Sequence, residues 1–126
     1  MLLTEYFARI VKVIEEYSKT HLITDSGLSI DCRTEKIGII KGRLTFIDYS
    51  RLFFTEYLDL RYKVEKLTYT FHYQQKDGEL IFRYDNANHK PQLKFTSHKH
   101  LSTGELIQSG IPELSGIFEE VMNYFL

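Results

Sequence analysis

Five side chains within one stretch have the types needed to move protons and hold phosphate. They are His72, Arg83, His89, His98 and His100, all inside TFHYQQKDGELIFRYDNANHKPQLKFTSHKH, residues Thr70 to His100, which holds four of the chain's five histidines. Imidazoles beside a guanidinium suit RNA cleavage without metal. One group takes the 2′-hydroxyl proton, another protonates the departing oxygen, and a cation steadies the charged phosphorus centre. The competing interpretation is a solvated sheet face on which Arg83 is held by Asp85 or another carboxylate.

His98-Lys99-His100 on a strand would place two imidazoles on one face about 7 Å apart, with Lys99 on the other. That pair suits a shared phosphate or a metal, with His89 as a third member if its loop folds back. A bare His-x-His is a weak metal signal, and no carboxylate or cysteine stands at ligand spacing, so no metal and no cofactor are expected. Arg43, Lys90, Lys99 and Tyr84 complete the candidate set as substrate-binding groups. Arg43 and Glu56, on neighbouring strands, form either an anion clamp with a base or an ordinary cross-strand salt bridge, and the salt bridge is the default. Cys32 alternates onto an apolar face with Leu28 and Ile30, which predicts a buried, inert thiol. Gly38 and Gly42 lack the spacing of a phosphate loop, and neither a nucleophile elbow nor a zincin motif is present.

The elements that must position these groups follow from hydrophobic period. Phe7, Ile10, Val11, Ile14 and Tyr17 predict an amphipathic helix over residues 4–18 with Thr4 as N-cap. Ile40, Leu44 and Phe46 oppose Lys41, Arg43 and Thr45 on a strand, and RLFFTEYL returns after Asp48-Tyr49-Ser50, with a register open by one residue. In the next strand Leu67, Tyr69, Phe71 and Tyr73 alternate with Lys66, Thr68, Thr70, His72 and Gln74. Asp77-Gly78 predicts a two-residue type I′ turn, which sets Tyr73 opposite Phe82, Phe71 opposite Tyr84, His72 opposite Arg83 and Thr70 opposite Asp85. LKFTSHKHL follows as a last strand, and Leu114, Ile117, Phe118, Val121, Met122 and Phe125 predict a helix from about Pro112. The fold class is α+β: an antiparallel meander of about five or six strands flanked by an N-terminal and a C-terminal helix.

At 126 residues, 43% of them apolar and 26% charged, the chain suits a single domain over 1–126. One cysteine makes no internal disulfide, and no run reaches the ~18 apolar residues of a membrane span. A cytoplasmic protein is expected. The net charge of −1 is not that of a general nucleic-acid binder. Its distribution is uneven: residues 86–104 carry three lysines, three histidines and no acid, whereas residues 105–126 carry four acids and no lysine or arginine.

GRLTFIDYSRLFFTEYL, then KLTYTFHYQQKDGELIFRYDNANH, Pro91 and the His98-Lys99-His100 run resemble the TumE family of toxins from toxin–antitoxin pairs. The resemblance covers roughly Ile39 to Leu101, and Asn88-His89-Lys90-Pro91 stands where the family often has Pro-His-His-Pro. It implies a growth-inhibiting toxin neutralised by a cognate antitoxin. A metal-independent endoribonuclease acting on translation-related RNA is then the leading expectation, with RNA as a second partner and a homodimer left open. The alternatives are a non-catalytic protein that acts by occupying a partner, and a metal-dependent hydrolase using His89, His98 and His100. Which histidine serves as acid or base stays open.

Overall fold

The computed structural model describes residues 1–87 and 96–125. The order is α1 (Leu3–Ser18), β1 (Ile23–Cys32), β2 (Ile37–Phe46), β3 (Arg51–Asp59), β4 (Glu65–Gln74), β5 (Leu80–Asp85), β6 (His98–Leu101), β7 (Leu106–Gln108) and α2 (Leu114–Met122), which runs on into a 3₁₀ turn, Asn123–Phe125. All seven strands form one antiparallel sheet in chain order. The expected α+β meander between two helices is therefore present, with one strand more than the period suggested. The extra strand is β7, whose three residues are too short to show an alternation. The segment expected as the last strand forms from His98 to Leu101, and its beginning at 93–95 lies outside the described residues.

Both helices pack on one face. In α1 the buried stripe is Leu3, Tyr6, Ile10 and Ile14, rotated from the expected one, with Phe7 and Tyr17 only partly covered. The N-cap is Leu2 rather than Thr4, and its N–H donates to the Glu5 carboxylate at 2.9 Å. In α2 Leu114, Ile117, Phe118 and Val121 are buried, with the Phe118 ring against those of Tyr17 and Phe46. Under them lie Ile40, Leu44 and Phe46 from β2, Leu52, Phe54 and Leu58 from β3, and Tyr69, Phe71 and Tyr73 from β4. Cys32 does alternate with Leu28 and Ile30, but it is exposed. It is the last residue of β1, an edge strand of the sheet.

Gly42 shows how tightly this layer is packed. A Cβ at that position would fall 2.2 Å from Cε1 of Phe54, whose ring stacks on Phe71 at 5.8 Å. Neither ring has room to retreat. Gly42→Ala is expected to destabilise the fold by about 1–3 kcal/mol through overpacking, read as a lower denaturant midpoint at unchanged slope.

Two irregularities decide what each face presents. The loop between β4 and β5 is not a type I′ turn: Gly78 has φ of 91° while Asp77 stays out of the left-handed region. The N–H of Gly78 donates to the Gln75 carbonyl at 2.9 Å and that of Gln75 to the Glu79 carbonyl at 2.8 Å, a type I turn closed by a glycine bulge. A register shift between Tyr73 and Gln74 then offsets the longer loop, so the expected pairs survive: Thr70 with Asp85, Phe71 with Tyr84, His72 with Arg83, Tyr73 with Phe82. The second irregularity lies in β4 against β3, where Tyr57 pairs with Thr68 but Leu58 pairs with Lys66. Leu67 is the extra residue and turns outward, and Lys66 takes the core position that alternation assigns to Leu67.

Candidate functional site

The open register of β2 against β3 resolves as Arg43 opposite Phe53 and Ile40 opposite Glu56. Arg43 and Glu56 therefore lie on opposite faces and form no salt bridge with each other. Arg43 pairs with Asp25 at 3.2 Å. Glu56 faces the helices, where its carboxylate meets Lys66 at 2.7 Å and accepts from the Tyr6 hydroxyl at 3.0 Å. Lys66 also donates to the Pro112 carbonyl at 2.7 Å, just before α2. Sequence reasoning missed this buried group because it depends on the β4 bulge.

The face away from the helices carries the histidines. Successive pairings set Arg43, Phe53, His72, Arg83 and His100 in one row across β2 to β6. The neighbouring row runs Lys41, Thr55, Thr70, Asp85 and His98. His72 is held by Gln74, whose side-chain oxygen lies 3.0 Å from Nε2, and its ring sits 6.3 Å from that of Phe53.

Asp85 is the hub. Its Oδ2 accepts from Nε of Arg83 at 2.9 Å and lies 3.3 Å from Nε2 of His100. Its Oδ1 lies 2.7 Å from Nε2 of His98 and accepts from the Ala87 N–H at 3.1 Å. On the far side of His98, Nδ1 lies 2.8 Å from the Thr96 carbonyl. The His98 and His100 rings meet edge to face at 5.0 Å. Asp85 and His98 are buried, whereas Arg83 and His100 keep part of their side chains exposed. Burial pushes the Asp85 carboxyl up, but the hydrogen bonds from Arg83 and Ala87 and the charges of His98 and Arg83 outweigh it and hold the group below its ordinary value.

His72, Arg83, His98 and His100 are thus brought onto one face, with Asp85 added to them. The sequence pattern predicts Asp85 on this face opposite Thr70 and as a holder of Arg83, and it is both, but it does not predict Asp85 as a partner of the histidines. Its contact with His98 depends on how β5 pairs with β6, and the intervening residues carry no register signal. Lys99 and Tyr84 lie on the helix face instead, paired with each other across β5 and β6. Both are tied to Glu120 of α2, at 2.9 Å and 2.6 Å. His89 and Lys90 lie outside the described residues.

Asp85, His98 and His100 each offer one ligand atom within 4.8 Å of the others. The Thr96 carbonyl on Nδ1 would also orient His98 as a metal ligand. Two features favour a direct hydrogen bond. The 2.7 Å between His98 and Asp85 is shorter than the about 3.3 Å between ligands of a tetrahedral site with ordinary zinc bond lengths. A guanidinium on the same carboxylate also opposes a second cation there.

Fold and site together define a small α+β domain with a histidine-bearing sheet face turned away from its helices, on which Asp85 and His98 are buried and His100 and Arg83 partly exposed. Residues 10–125 match the model of the family described as Toxin TumE. The chain belongs to that toxin family, and membership implies a cognate antitoxin. No curated protein and no solved structure matches it. Among the described residues no helix is long and apolar enough to cross a membrane.

Proposed function

We propose that this toxin is an endoribonuclease that cleaves translation-related RNA inside the cell by metal-free transphosphorylation on the sheet face away from the helices. One observation carries the proposal: Arg83 stands between His72 and His100 on adjacent strands of one row. A cation flanked by two imidazoles is the set that in-line attack of a 2′-hydroxyl requires. One imidazole takes the 2′-hydroxyl proton as that oxygen bonds to phosphorus. The other gives a proton to the 5′-oxygen as its bond to phosphorus breaks, leaving a 2′,3′-cyclic phosphate and a 5′-hydroxyl. Arg83 balances the charge that builds on the phosphoryl oxygens, since among the described residues its one side-chain bond runs from Nε to Asp85 and most of its five N–H donors can turn to phosphate. His98, wholly buried with both nitrogens engaged, acts as a positioning residue that fixes Asp85.

The test is incubation of purified protein with single-stranded RNA in excess chelator, with analysis of the product ends. Cyclic phosphate ends are expected, with a bell-shaped pH profile. His72→Ala and His100→Ala should each lose about 10²- to 10⁴-fold in rate. Full activity in both variants sinks the assignment. The convergence of Asp85, His98 and His100 supports a second reading, metal-dependent hydrolysis. Activity lost to chelator and restored by a divalent ion would establish that one instead.

A further inference from the structure

The row that carries the histidines does not end at them. Beyond His72 it continues to Phe53 on β3, Arg43 on β2 and Gly27 on β1. There the face sinks into a groove of about 370 Å³ whose lining includes Gly27, Lys41, Arg43 and Phe53. Gly27 leaves its side of the groove bare: a Cβ there would sit in ordinary contact with the Arg43 guanidinium, at 3.4 Å. Arg43 is 55% exposed, and its partner Asp25 is 59% exposed. Such a pair is weakly held and can exchange its carboxylate for phosphate.

We propose that this groove is a nucleotide subsite for single-stranded RNA, continuous with the His72–Arg83–His100 row. The Phe53 ring stacks a base, and Arg43 with Lys41 holds the adjoining phosphate. The inference rests on the ribonuclease reading for its substrate class, and it adds a binding determinant three strand spacings, about 14 Å, from His100. An aromatic platform beside paired cations is the recurrent means of holding a single strand without reading its sequence. Both bases and phosphates of a single strand are open to such a face, whereas a duplex hides its base planes.

The experiment measures binding of a fluorescently labelled single-stranded RNA oligonucleotide by anisotropy, in a chain carrying His100→Ala so that the probe is not consumed. Phe53→Leu, which keeps an apolar side chain but removes the ring, is expected to weaken binding roughly 5- to 100-fold, and Phe53→Tyr to preserve it. Arg43→Ala should weaken binding and lower the slope of affinity against salt by about one. Equal affinity in the parent and Phe53→Leu overturns the subsite and leaves the cleavage reading intact. Phe53-dependent binding in a protein whose His100 form cleaves nothing sinks the ribonuclease reading and leaves the subsite standing. No RNA binding by the parent, or a need for Phe53 in capturing the antitoxin in place of RNA, also overturns the subsite.

Discussion

Lys66→Ala is expected to cost about 3–5 kcal/mol of folding stability, the size typical of removing one partner from a buried ion pair. The Lys66 and Glu56 side chains are only 3% and 1% exposed, so a lone Glu56 carboxylate could not draw compensation from water. The same ammonium binds the Pro112 carbonyl at 2.7 Å and lies 5.5 Å over the Phe71 ring. Its loss should therefore also loosen the entry to α2, seen as faster amide exchange there. Tyr6 makes the carboxylate's remaining contact. Burial first, then the charge and hydrogen bond of Glu56, raise its phenol far above the ordinary value, so it stays a proton donor to Glu56. The double variant Glu56→Gln/Lys66→Met keeps an acceptor for Tyr6 and removes both charges. It should recover most of the loss, because the desolvation cost of the pair goes with it. Chemical denaturation of the three variants decides the matter. A Lys66→Ala cost below about 0.5 kcal/mol, the range of ordinary surface substitutions, would refute the role given to the pair.

Replacing Asp85 should damage stability and activity together. Asp85→Ala leaves buried His98 without its carboxylate partner and releases Arg83, at a cost of about 2–4 kcal/mol. Asp85→Asn keeps the shape but not the charge. On the proposed ribonuclease reading, RNA cleavage should fall roughly 10- to 100-fold, as when a group that orients a working residue is lost, with more effect on kcat than on KM. The pH dependence has a defined sign. The folded-state pKa of Asp85 is depressed, so the carboxylate stabilises the fold fully above its unfolded value of about 4. That contribution disappears as the pH falls through the lower, folded value. The stability gap between the parent and Asp85→Asn should therefore close as the pH falls from about 4 through the lower, folded value. A gap that stays open well below about pH 4 would show that Asp85 is not held as a paired carboxylate.

Much of this was legible in local pattern. Leu114, Ile117, Phe118 and Val121 announced the core stripe of α2, and His98 and His100 two residues apart had to share a face. The opposition of His72 and Arg83 was readable from the strands around Asp77-Gly78, although the turn is of another type. There the longer loop and the shift after Tyr73 cancel, so the register held for a reason the dipeptide does not express.

Composition and alternation by themselves determined an antiparallel α+β meander, the aromatic core face of β4 and a polar face bearing His72 and Arg83. Tertiary structure alone decided that Lys66, not Leu67, enters the core. A bulge changes the phase of a period-two pattern at one residue, and only the partners waiting on the far side, Glu56 and the Pro112 carbonyl, make the exchange favourable. It alone also decided that Asp85 joins His98 and His100. Residues on β5 and β6 are matched by pairing across a long connection, and pairing over such a distance depends on the closed fold rather than on any spacing along the chain.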